Sequence, residues 1–167
     1  MGKNVIQSKH NIYITMNKLV IVFFVLGSFF VMNDLSAQES DMFFKKTVSG
    51  DFTEVLEKVI IEFKNVGFGV ITEIDMDKKL EEKLDVDLDA YKILGVCNPE
   101  FAYKALQVEP NIGVFLPCKV VVKQLDNNKI EVVSSDPAML MKMLKNEKLS
   151  KLAEEVSVKI KTAIENI

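Results

Sequence analysis

One stretch decides where a folded domain can begin. Leu19 to Met32 reads LVIVFFVLGSFFVM, with no charge and only Gly27 and Ser28 interrupting the apolar run. A helix that crosses a bilayer needs about 20 apolar residues, so this segment is short for a span and has the length of the hydrophobic part of an export signal. Met16-Asn17-Lys18 ahead of it forms a compact charged start, and Leu35-Ser36-Ala37 puts a small residue before Gln38, where a signal peptidase cuts. The sequence therefore reads as a signal peptide over residues 1–37, cleaved between Ala37 and Gln38, followed by one domain over residues 38–167. Translation beginning at Met16 fits the same pattern. The expected location is periplasmic or secreted, with no membrane span after cleavage. An uncleaved anchor is the alternative; a lipid-linked form lacks a cysteine at the cut.

Cleavage has a chemical consequence, because it removes His10, the only histidine. The chain has no Trp and no Arg, and its 21 basic residues face 24 acidic ones for a net charge of −3. Every cation is thus a lysine. Nucleic-acid binding needs clustered cations on the phosphates and commonly Arg on the bases, so this composition argues against a nucleic-acid partner.

No proline-, glycine- or serine-rich linker and no repeat divides Phe43 to Ile167. Phe43 to Val48 has strand character and closes at Ser49-Gly50. Asp51 with Glu54 three residues on resembles a capping box, and Phe52, Val55, Leu56, Val59, Ile60, Phe63 and Val66 recur at helical spacing until Gly67. Phe68 to Ile74 reads as a strand, Met76 to Leu84 as a short helix, and Tyr91 to Val96 as a strand. Asn98-Pro99 and Asp136-Pro137 each start a helix, since the residue before proline is pushed extended, as an N-cap is, and proline's missing N–H costs nothing at the first helical position. Val114 to Leu125 and Lys129 to Ser134 flank Asp126-Asn127-Asn128 and are expected to form an antiparallel hairpin. Glu147 to Glu165 closes the chain as an amphipathic helix. This order predicts an α+β, two-layer domain with a mixed or antiparallel sheet of about five strands packed by helices.

The candidate chemistry is sparse. Asp85-Val86-Asp87-Leu88-Asp89 opens like a calcium loop, but Ala90 stands where the turn needs Gly and Val96 where the twelfth position needs Glu. Gly67-Phe68-Gly69 enters a strand rather than a helix, so it is no dinucleotide loop. Met139, Met141 and Met143 suggest soft-metal ligands, yet Leu140, Met143 and Leu144 fall on one helical face and read as core. No metal site and no cofactor is expected, because two thiols without histidine fall short of the four ligands of structural zinc.

Cys97 and Cys118 remain the best nucleophiles. The free N–H groups and positive end of the helix after Asn98 would favour a Cys97 thiolate. Separate buried thiols, a disulfide and a reactive pair are all open, and the topology of the strands carrying them decides how near they come. Lys92 could serve as a desolvated amine, while Tyr91 and Tyr103 offer an aromatic body with a polar tip. With Asn98, these form the candidate ligand-binding set Tyr91, Lys92, Asn98 and Tyr103.

Several blocks carry a resemblance. Glu73-Ile74-Asp75, Lys83-Leu84, Tyr91 through Pro99 (YKILGVCNP), Ala102-Tyr103-Lys104-Ala105-Leu106, Ile112-Gly113 and Leu116-Pro117-Cys118-Lys119-Val120 together resemble domain-of-unknown-function family 302. The resemblance implies a compact α/β domain, often a homodimer, with no established activity. The family pattern has Asn after the second cysteine, where this chain has Lys119. The functional expectation is a small exported domain that binds a small molecule or a protein partner without turnover. The alternative is a thiol-dependent redox or sulfur-handling protein using Cys97 and Cys118.

Overall fold

Antiparallel pairing organises the chain. The computed structural model describes residues 42–125 and 128–167, and the proposed leader and cleavage point at Ala37 and Gln38 lie outside them. Five strands, β1 (Phe43–Ser49), β2 (Gly69–Asp75), β3 (Tyr91–Cys97), β4 (Cys118–Leu125) and β5 (Lys129–Ser135), form one sheet in the order β1-β5-β4-β3-β2. Every neighbouring pair is antiparallel. The α+β architecture is therefore realised with a wholly antiparallel sheet.

Most of the helices begin behind a capping side chain, the helix Met76–Leu84 being the exception. Helix α1 (Phe52–Asn65) is capped by the Asp51 carboxylate, which accepts from the Thr53 and Glu54 N–H groups at 2.8 and 3.2 Å. Its Val55, Val59 and Phe63 recur every four residues and are buried. Gly67, at φ 92°, reverses the chain, and the Phe68 N–H closes the end on the Phe63 carbonyl at 2.9 Å. Helix α2 (Met76–Leu84) buries none of its residues, whereas α3 (Pro99–Val108) and α4 (Pro137–Lys142) both carry proline in the first turn behind an Asx cap. Helix α5 (Glu147–Asn166) is held by Asn146 and buries Leu149, Ala153, Val156, Ile160, Ala163 and Ile164 along one stripe.

The main core forms where α1 and α5 cover one face of the sheet. Strand residues Leu94, Val96, Val120, Val122, Ile130 and Val132 point into it by period-2 alternation, against Val59, Phe63, Ile160 and Ala163 of the helices. Burying each such aliphatic or aromatic side chain contributes roughly 1.5–3 kcal/mol. A second, smaller apolar cluster joins Ala105 of α3, Ile112, Met141 of α4, and Leu149 and Ala153 of α5. On the opposite sheet face the register aligns Ile74, Ile93, Val121 and Val133 in one row across β2, β3, β4 and β5. Ile74, Ile93, Val121 and Val133 are half-buried.

Two expectations are corrected. Residues Val114 to Pro117 are not strand: Pro110–Phe115 forms a 3-10 helix, and β4 starts only at Cys118. Glu109 accepts from the Asn111 N–H at 2.9 Å, Ile112 anchors the turn in the second cluster, and Pro117 has no N–H to give a strand ladder. The methionine face also differs. Helix α4 is only six residues long, so Met141 is buried at 7% exposure while Met143, just past the helix, is 64% exposed.

Candidate functional site

The two apolar clusters do not close on each other. Between them lies a cavity of about 310 Å³, walled by α3, the 3-10 helix, α4 and α5, and floored by the ends of β3 and β4. Its walls are almost wholly apolar, with Phe101, Ala105, Leu116, Met141, Leu152 and Ala153 among them. Polar groups gather at one end: Cys97, Asn98, Cys118, Lys119 and Ser135. The register explains that gathering. Val96 pairs with Cys118, Gly95 with Lys119, and Val120 with Ser134, so these residues occupy adjacent rungs of the β3–β4–β5 ladder. Antiparallel pairing thus brings the two cysteines, 21 positions apart in the chain, to the same end of one cavity.

The chain matches a known domain type over most of its length. The family model described as "Domain of unknown function DUF302" matches residues 44–167. The chain belongs to this family. A solved structure, that of an uncharacterized conserved DUF302 protein from Bacillus stearothermophilus, is 30% identical and superposes with a TM-score of 0.70, covering 76% of this chain and 98% of its own. None of the curated proteins matches.

Within this DUF302 domain both cysteines are free thiols, and no disulfide joins them. Burial pushes the Cys97 thiol up from its ordinary range. The expected help from the helix N-terminus does not arrive, for a visible reason: the Asn98 side chain already takes the free N–H groups of α3. Its Oδ1 accepts from Glu100 and Phe101 at 3.0 and 3.2 Å, and its Nδ2 donates to the Gly67 carbonyl at 2.8 Å. Asn98 is thereby a clamp between the end of α1 and the start of α3, with little of its amide left for a ligand. Cys118 is pushed up to about 11, first by burial and then by its neighbour Cys97, with Lys119 opposing.

The remaining predicted site residues stand apart from the cavity. Tyr91 and Lys92 begin β3, whose other end reaches the cavity at Cys97, and Tyr103 is 65% exposed on α3. Lys92 sits between Asp75 at 2.9 Å and Glu73 at 3.3 Å. The Asp75 hydrogen bond is the main cause that raises its pKa, so it stays an ammonium ion rather than a free amine nucleophile. Sequence reasoning missed Lys119 and Ser135 as site residues, because only strand register places them beside the cysteines.

The buried thiol makes stability depend on alkaline pH. A thiol whose pKa rises on folding is protonated in the folded state where the unfolded chain has lost its proton. Its contribution is therefore full below the ordinary thiol range and is lost as pH climbs from about 8.5 towards 11. We expect a loss on the order of 2 kcal/mol across that interval, beyond what lysine titration causes. Urea unfolding of the wild type and of Cys118→Ala at several pH values checks this: the two stability curves should converge as pH rises, and parallel curves would contradict it.

Proposed function

We propose that this domain is an exported, non-catalytic binding module that takes a small, mainly apolar molecule into the cavity between its two apolar clusters. The supporting observation is the cavity itself. Its volume of about 310 Å³ lies at the lower end of small-molecule sites, and its apolar walls with a few convergent polar groups are the usual make-up of such sites. Both thiols at its polar end have raised pKa values, and no histidine occurs among the described residues, which favours binding over nucleophilic turnover.

Filling the cavity tests the reading. Ala153, 6% exposed on the α5 wall, leaves room that a larger side chain would occupy. Ala153→Leu is expected to raise stability by about 0.5–1 kcal/mol while weakening the binding of small aliphatic probes at least tenfold, read by calorimetric titration. Unchanged probe affinity in a folded, stabilised variant would remove the cavity as the binding site.

The thiol-dependent alternative draws support from the placement of Cys97 and Cys118 at one cavity end. It requires at least one of them to be alkylated rapidly at neutral pH in the folded protein, and slow labelling that accelerates only on unfolding would set it aside. The export proposal rests on the Leu19–Met32 run and the Ala37-Gln38 step, and mass spectrometry of the protein from its native host should find a chain beginning at Gln38. Homodimer formation is supported by the apolar row Ile74, Ile93, Val121 and Val133 on the sheet face opposite the core. Sedimentation should show a dimer that Val121→Asp dissociates.

A further inference from the structure

The 3-10 helix and the turn between α4 and α5 leave hydrocarbon in water. Val114 and Phe115 are 85% and 39% exposed, and Met143 and Leu144 are 64% and 40% exposed. The two segments adjoin: Val114, Phe115 and Leu144 line one surface depression with Ile112, Asn146 and Leu149. Lysines accompany them. Lys145 stands between Leu144 and Asn146, Lys148 comes just before Leu149, and Lys142 is two residues ahead of Leu144. All three lysines are exposed. Lys142 donates to Met139 Sδ at 3.5 Å, and among the described residues none of the three pairs with a carboxylate. The two carboxylates in these segments are engaged elsewhere: Glu109 accepts from the Asn111 N–H at 2.9 Å, and Glu147 pairs with Lys151 at 3.1 Å. Lys145 and Lys148 also flank the start of α5, where the positive end of a helix disfavours cations and favours an anion. Exposed hydrocarbon and unpaired cations therefore share one surface.

From this charge complementarity we infer that the surface docks on an anionic lipid bilayer, with Val114, Phe115, Met143 and Leu144 entering the head-group region and Lys142, Lys145 and Lys148 attracted to the lipid phosphates. Interfacial segments bind membranes by this combination of buried apolar area and electrostatic attraction. A fluid layer suits these residues better than a protein partner does. Val114 keeps most of its surface free, and lipid receives a side chain in any orientation, whereas a protein must offer a matching pocket. Attraction to a charged surface acts over a Debye length, about 8 Å at physiological salt, so the flexible lysines need no fixed ion-pair geometry. A second copy of this chain is disfavoured on the same surface, because it would set three more lysines against these three. The inference does not depend on what the cavity holds.

The absence of tryptophan from the chain supplies the test. Val114→Trp in the full chain places a single fluorophore on the surface, and Ile71→Trp, at a residue 60% exposed on the edge strand β2, is the control. Every substituted position is exposed, and unchanged melting temperatures establish that the variants fold. With vesicles of phosphatidylcholine and phosphatidylglycerol, the Val114→Trp emission should shift to the blue and be quenched by brominated acyl chains, while the Ile71→Trp emission stays in place. Vesicles of phosphatidylcholine alone should give little shift, and added salt should reverse it. Lys142→Gln, Lys145→Gln and Lys148→Gln together should weaken the Val114→Trp response to anionic vesicles by at least about tenfold. An unshifted Val114→Trp emission on anionic vesicles would overturn the inference, as would equal shifts at both tryptophan positions, which would mean that another part of the chain carries the protein to the vesicle. A response that survives the three lysine substitutions would overturn it as well. A shift produced by a leucine-glutamate copolymer and not by vesicles would assign the surface to an acidic protein instead.

Discussion

Gly95→Ala should lower the stability of this domain by about 3 kcal/mol, a large effect for the addition of one methyl group. Gly95 lies in β3, paired with Lys119 on one side and Thr72 on the other. A Cβ at this position would come within 2.6 Å of Pro117 Cγ and would also collide with the Thr72 hydroxyl. Thr72 could turn its side chain, but the proline ring has no free rotor and is held in the chain between the 3-10 helix and β4. Pro117 must therefore move, and Cys118 and Lys119 follow it, so the same substitution should disturb the polar end of the cavity. Gly69→Ala is the matched control, because a Cβ there meets nothing within 4 Å. Urea unfolding should show a much lower midpoint for Gly95→Ala and almost none of that loss for Gly69→Ala. Equal midpoints would mean that the contact with Pro117 relaxes without cost.

The other large effect is expected at Phe63, where truncation to alanine should cost about 3–5 kcal/mol. Its side chain is fully buried at 0% exposure and meets the edge of Phe68 at right angles, with ring centroids 6.4 Å apart. Deleting the ring loses its transfer from water and leaves a void that the sheet and α5 cannot fill without shifting. Phe68 also lines the cavity between the two clusters, so the new void lies next to the existing one and should loosen both. Domains of this size are commonly stable by about 5–15 kcal/mol, which makes this a substantial share of the total. Ile61→Ala, on the same helix but 55% exposed, should change stability by no more than about 0.5 kcal/mol. A loss at Phe63 as small as that at Ile61 would show that the core repacks around the missing ring.

Much of the fold was legible because its determinants are local. Asp51, Asn98 and Asp136 each cap the helix that follows, and in each case the oxygen that makes the cap lies within three residues of the N–H groups it receives. The alternation in Val120, Val122, Ile130 and Val132 likewise announces one buried face before any partner is known. Local pattern failed between Val114 and Pro117, where a β-branched and aromatic run looks like strand. There Glu109 supplies a cap and the second cluster holds Ile112, and these two contacts override propensity. Cys97 shows a related limit of local pattern: the helix N-terminus beside it does not serve the thiol, because the adjacent Asn98 takes those donors.

The sequence by itself determined the α+β class, the helix starts at Pro99 and Pro137, the amphipathic faces of α1 and α5, and, through the Cys-Asn-Pro and Pro-Cys blocks, the family. Capping, turn formation and side-chain periodicity act over a few residues, so one chain read in order contains them. Only the tertiary structure decided that β3 and β4 pair antiparallel with Val96 opposite Cys118, that a cavity remains between two apolar clusters, and that Lys119 and Ser135 join the cysteines at its end. Register and leftover volume depend on how side chains from distant segments fill a shared space, and no local pattern encodes that sum.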